Sequence, residues 1–87
     1  MKMKELSEMP NIEKALEEKL IILGITSPDD LSWVGSKEAF YRILLIFPQD
    51  ACLNLLYSLE GAIRGEQWSL LKKEVRKDLA SFYRLFN

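Results

Sequence analysis

Apolar residues recur along this chain at helical spacing, and no segment alternates apolar and polar positions as a half-buried strand would. The pattern predicts a short helix over Lys2–Glu8, broken at Met9-Pro10-Asn11 because Pro10 pushes its predecessor out of the helical region. Asn11 is placed to cap a second helix carrying Ile12, Ala15, Leu16, Leu20 and Leu23 on one side, with Gly24 as its stop. Ser27-Pro28-Asp29-Asp30 reads as a further start: a capping serine, a proline in the first helical position and two acids at the positive end of the dipole. That third helix is brief, with Leu31, Trp33 and Val34 apolar and Gly35 ending it. A fourth runs from Lys37 to about Phe47, with Phe40, Ile43, Leu44 and Phe47 on one face, and Pro48 ends it. Asp50 is placed to cap a fifth, about Ala51–Arg64, whose broad apolar face of Cys52, Leu55, Leu56, Leu59, Ala62 and Ile63 marks it as the central helix. Gly65 stops it, and a last helix over roughly Leu71–Phe86 turns Leu71, Val75, Leu79, Phe82 and Phe86 inward. The fold class is therefore all-α, a bundle of about five main helices packed around Leu55, Leu56, Leu59 and Ile63.

The 87 residues suit a single domain over 1–87, with 48% hydrophobic and 29% charged residues, the balance of a folded soluble protein. The longest apolar run, Ile43–Phe47, is far too short to span a bilayer. One cysteine, Cys52, cannot form an internal disulfide, which points to a reducing, cytoplasmic setting. The chain has no histidine, so it has no side chain that titrates near neutrality without perturbation, and the common zinc and Cys–His arrangements are excluded. The expectation is a non-enzyme with no catalytic residues, no metal and no cofactor.

Net charge is −1, but the charges are unevenly spread. Bases outnumber acids only beyond residue 63, where Arg64, Lys72, Lys73, Arg76, Lys77 and Arg84 face Glu66, Glu74 and Asp78. Because Glu74 and Asp78 interleave with the bases, this stretch reads as a solvated face of mixed charge. The segment Met9–Glu13 entering a helix resembles a helix-hairpin-helix motif, in which backbone amides at a helix start hold a DNA phosphate. Glu13 stands where that motif usually has a glycine, and its carboxylate would repel a phosphate. The candidate binding residues are Pro10, Asn11, Glu13 and Lys14 at the hairpin, and Arg64, Lys72 and Arg76 in the basic region. Gly61, inside a helix, costs stability and is read as the point where another helix approaches. Trp68 is expected to close over the core, and Tyr41, Tyr57 and Tyr83 to sit at its boundary.

The string Cys52-Leu53-Asn54-Leu55-Leu56-Tyr57-Ser58-Leu59-Glu60-Gly61-Ala62-Ile63-Arg64-Gly65, followed by Trp68 and Leu71, resembles the C-terminal domain of TfoX/Sxy proteins. Met9–Ile12, Leu16, Lys19-Leu20, Gly24–Ser27 and Leu31 are similar to the hairpin of the same domain, so that the likeness runs from about Leu6 to Phe82. The resemblance implies a bacterial protein with a helical fold akin to SAM-like or helix-hairpin-helix domains. It also implies a role near the regulation of natural competence, since full-length members resemble transcriptional co-regulators. Those members carry a separate N-terminal domain, whereas this chain corresponds to the C-terminal domain standing alone. The function expected is a regulatory module that binds a protein partner, a second copy of the chain included, with no membrane association and weak or no DNA binding. The alternative is direct DNA binding through the degenerate hairpin and the basic C-terminal helix.

Overall fold

The broad apolar stretch around Leu56 and Leu59 forms the helix against which most of the others pack. A computed structural model describes residues 5–86. It has five α-helices: α1 (Lys14–Ile22), α2 (Pro28–Val34), α3 (Ser36–Ile46), α4 (Leu53–Arg64) and α5 (Lys73–Tyr83). Short 3-10 turns at Leu6–Glu8, Pro48–Asp50, Trp68–Leu70 and Arg84–Phe86 connect or flank them, and no strand occurs among the described residues. No described helix is long and apolar enough to cross a membrane.

Helix α4 packs against α2, α3, α5 and the Trp68–Leu70 turn. Leu56 and Leu59 are fully buried and Ala62 nearly so, while Leu55 and Ile63 are half-buried at the edges of the same face. Phe40 of α3 is fully buried and holds the C-terminal segment. Phe82, Tyr83 and Phe86 lie around its ring with centroids 5.9–6.4 Å away, the first two edge-on as ring quadrupoles prefer. Ser27 caps α2 as its sequence predicts, its hydroxyl accepting the Asp30 N–H at 3.1 Å. Asp30 replies by accepting from both the N–H and the hydroxyl of Thr26, and these bonds hold its pKa below the usual carboxylate range.

Several local expectations are corrected. The predicted first helix is only the 3-10 turn Leu6–Glu8, and its start at Lys2–Lys4 lies outside the described residues. The buried Leu6 and Met9 are three apart, the spacing that a 3-10 turn places on one side. Asn11 does not cap α1; Glu13 takes that position. Asp50 does not cap α4, because Pro48–Asp50 forms its own turn and Cys52 occupies the cap position. The Asp50 carboxylate instead meets Lys19 Nζ at 2.6 Å, and the same ammonium lies 5.7 Å from the Phe47 ring. Cys52, assigned to the apolar face, is exposed because helical geometry begins only at Leu53. The last helix starts at Lys73, not Leu71, and tightens to a 3-10 turn after Tyr83; Leu71 is nonetheless buried.

Glu17, which the sequence places on the surface, is 6% exposed. One carboxylate oxygen accepts the Ser7 N–H at 3.0 Å, and the other lies 3.5 Å from Lys14 Nζ. The Ser7 bond is the main cause of a pKa below the usual range; desolvation opposes it and Lys14 reinforces it. The ionised carboxylate thus ties the N-terminal turn to α1.

Two predictions follow from this packing. Leu56→Ala and Leu59→Ala should each lower stability by about 2–5 kcal/mol, since both side chains are wholly inside and truncation leaves a cavity; urea titration measures this. For Glu17, the folded-state pKa is the lower one, so its contribution is present above the unfolded carboxylate pKa and is lost as pH falls towards the folded value. Glu17→Gln should therefore lower the denaturation midpoint at neutral pH and leave a shallower acid limb than the parent protein shows.

Candidate functional site

The hairpin before α1 turns at Asn11, which adopts a left-handed conformation with φ of 69°. Asparagine tolerates that region better than most residues. Its side chain is directed inward, away from any ligand. Nδ2 donates to the Ser58 carbonyl at 3.2 Å and the Glu66 carbonyl at 3.0 Å, and Oδ1 accepts the Trp68 N–H at 3.2 Å. One amide group thus joins the hairpin, α4 and the segment that follows α4.

Gly61 makes room for that joint. A Cβ built there would stand 2.6 Å from Asn11 Nδ2, 2.7 Å from the Glu66 oxygen and 3.2 Å from the Trp68 Cα. The close approach read from the sequence is real, but the neighbour is the hairpin asparagine and the returning backbone, not another helix. The return is made by Gly65, whose left-handed φ of 76° ends α4, and the Glu66 N–H then bonds the Gly61 carbonyl at 2.9 Å. Trp68 comes to lie half-buried and stacked on Tyr57, with centroids 6.1 Å apart and planes 16° from parallel.

The hairpin lacks the charge that a phosphate hook needs. Beside it is a cleft of about 340 Å3 lined by Asn11, Ile12, Glu13, Asn54, Ser58 and Trp68, none of them cationic. Glu13 is the exposed cap residue of α1; its side chain makes no cap hydrogen bond, but it sets a negative charge beside the helix start. Lys14 is turned to Glu17, and Pro10 is a half-buried turn residue.

The basic residues divide into two groups. Among the described residues up to Arg64, Lys14, Lys19, Lys37, Arg42 and Arg64 each have a carboxylate within 3.5 Å. Arg64 is held by Glu60 one turn earlier on α4, and it is Glu60, accepting the Ser36 hydroxyl, that links α3 to α4. None of Lys72, Lys73, Arg76 and Lys77 has a described carboxylate partner. The stretch is solvated, as its mixed charge suggests, with Lys72, Lys73, Glu74, Lys77 and Asp78 all exposed, but the two signs lean to different sides of α5. At 100° per residue the acids fall on another side of α5, where they line a groove of about 830 Å3 against α3 and α4, and Asp78 pairs with Lys37 at 2.9 Å. Lys73, Arg76 and Lys77 line a separate shallow groove of about 230 Å3 with Tyr57 and Ala80. Lys72 precedes them in the cap position of α5.

Sequence reading also missed Trp33, which was grouped with the apolar side of α2. It is 90% exposed, while Leu31 of the same helix is wholly buried. The signal was present: two positions along a helix differ by about 200°, so Leu31 and Trp33 cannot face the core together. No group of acidic or cysteine side chains among the described residues is arranged to hold a metal ion.

With this geometry in view, the chain compares with known proteins as follows. The family model described as the TfoX C-terminal domain matches residues 2–83. Two crystal structures are similar over nearly their whole length. One is an uncharacterized protein from Listeria monocytogenes in a triclinic form, 44% identical, with a TM-score of 0.90 over 94% of this chain and 92% of that one. The other is a protein of unknown function from Listeria monocytogenes in a tetragonal form, also 44% identical, with a TM-score of 0.88 over 94% of this chain and 99% of that one. No curated protein matches the chain.

The Asn11 joint makes a prediction whose sign is set by competition. Gly61→Ala would ordinarily gain up to about 1 kcal/mol from helix propensity. Here the added methyl meets a backbone oxygen at 2.7 Å, so the substitution should instead destabilise by about 1–3 kcal/mol. Asn11→Ala should cost a similar amount, because it strips the Trp68 N–H of its partner and strains a left-handed position. Thermal unfolding of both variants, read by the fluorescence of Trp68 in a Trp33→Phe background, measures the two effects.

Proposed function

The chain belongs to the TfoX C-terminal domain family, and we propose that it serves as a non-enzymatic regulatory module that acts by binding a protein partner. The observation that carries this reading is Trp33. Its ring is 90% exposed on a short helix whose other residues seat Leu31 in the core, so it contributes little to holding the fold. Tryptophan is enriched at protein interfaces and dominates their energetics when it inserts into a partner's pocket.

The absence of catalysis is part of the same proposal. The carboxylates with the least solvent exposure are engaged structurally: Glu17 by Ser7, Asp30 by Thr26, Asp50 by Lys19 and Glu60 by Ser36 and Arg64. Their partners are hydroxyl and backbone donors or bases held in ion pairs, and the chain has no histidine. The exposed single cysteine is compatible with a reducing, cytoplasmic setting. The DNA-binding alternative through the hairpin is disfavoured by Glu13 at the start of α1 and by the pairing of Lys19, the cation in the adjoining cleft, with Asp50.

Trp33→Ala should leave stability within about 0.5 kcal/mol of the parent, as for other exposed positions, and should weaken partner binding by about 30-fold or more. The partner is captured from a nuclease-treated extract of the source cells, purified, and titrated calorimetrically against both proteins. Sedimentation of the purified chain, with and without Trp33, checks whether the partner is a second copy. Equal affinity of parent and variant, or capture that vanishes on nuclease treatment, would overturn the reading.

A further inference from the structure

We propose that the basic side of α5 is a second binding surface, one that takes the phosphate backbone of duplex nucleic acid without reading its sequence. This inference rests on α5 and its neighbours alone and stands independently of the protein-binding role of Trp33.

Three observations lead to it. The first is the division of the bases. Five upstream bases are each paired within the domain, whereas Lys72, Lys73, Arg76 and Lys77 stand together without a described carboxylate partner. Glu74 and Asp78 line the other groove, where Asp78 pairs with Lys37, so no ion pair among the described residues holds any of the four bases. The second is the position of these bases on the helix. Lys72 is the cap residue and Lys73 the first helical residue; no side chain caps the first turn, and its one acid, Glu74, lines the opposite groove. Cations are unfavourable there because the helix dipole is positive, and uncapped N–H groups still need acceptors. An external anion would satisfy the lysines, the dipole and the N–H groups together. The third is what the surface lacks. Its groove is lined by Tyr57, Lys73, Arg76, Lys77 and Ala80, and the Tyr57 ring is already stacked on Trp68. Protein interfaces are depleted in lysine at their cores and are anchored by apolar or aromatic side chains in pockets. A lysine-rich face with its one aromatic ring already occupied fits phosphates, which require charge and hydrogen-bond donors and no apolar anchor. Nothing in the groove is shaped to read base edges, so binding is expected at the non-specific level, with a Kd of about 10⁻⁴ to 10⁻⁶ M at physiological salt.

The test uses the whole chain and a fluorescein-labelled duplex of random sequence, with anisotropy titrations across a range of salt concentrations. Four phosphate contacts should give a slope of log K against log salt of roughly −3 to −4. The double variant Lys73→Gln, Lys77→Gln removes two exposed charges and should make that slope shallower by about 2, with an unchanged circular dichroism spectrum. Lys14→Gln, at the hairpin, should leave the slope unaltered. Binding that is insensitive to salt, or equal slopes for the parent and the double variant, would overturn the proposal. A loss confined to Lys14→Gln would overturn it in favour of the hairpin. Displacement of the duplex by polyglutamate of matched charge as readily as by unlabelled duplex would assign the face to an acidic protein instead.

Discussion

The fold depends on one side chain filling the space where another is missing. Gly61 leaves a notch in α4, and the Asn11 amide enters it to bind two carbonyls and an N–H that belong to different segments. Each of those backbone groups sits in a partly buried place where an unmade bond would be costly. The joint decides how the chain enters α1 and how it leaves α4. It also sets where Trp68 lies, and through the stacked Tyr57 it shapes the wall of the basic groove on α5.

This arrangement explains why the hairpin resembles a phosphate hook without having the chemistry of one. In such a hook the backbone at the turn must stay open to a ligand, and the charge around it must be neutral or positive. Here the turn residue spends its polar atoms on the protein, and the following helix begins with an exposed carboxylate. The hairpin serves as a structural joint between two parts of the bundle.

Electrostatics then separates scaffold from surface. Ion pairs join α1 to the Pro48–Asp50 turn through Lys19–Asp50 and α3 to α5 through Lys37–Asp78, and Ser36 joins α3 to α4 through Glu60. Such partly exposed pairs contribute little stability individually. Their effect here is to pair the described bases of the first four helices, while Lys72, Lys73, Arg76 and Lys77 of the α5 region are in no described ion pair.

Much of the architecture was legible in the order of residues because helix formation is a local matter. Apolar spacing identified all five helices, Ser27 announced the start of α2, Gly65 the end of α4, and Leu56 and Leu59 the centre of the core. The family was legible too, in the Leu-Tyr-x-Leu-Glu-Gly-Ala-x-Arg-Gly string around Gly61. What sequence could not decide were the partners of polar side chains, because a hydrogen bond between Asn11 and Trp68 spans 57 positions and exists only once the bundle has closed. Asn11 and Asp50 look like helix caps by type and place, yet each is drawn to a distant group that offers a better bond. Glu17 looks like a surface acid until the N-terminal turn folds over it. The bases of α5 look balanced by the acids between them, and only the rotation of that helix against α3 and α4 shows that the two signs face different grooves. Composition and periodicity determined which segments are helical and which faces are apolar. The packing of those faces alone determined which charges are paired, which polar groups are spent on the fold, and which side chains, Trp33 among them, stay exposed.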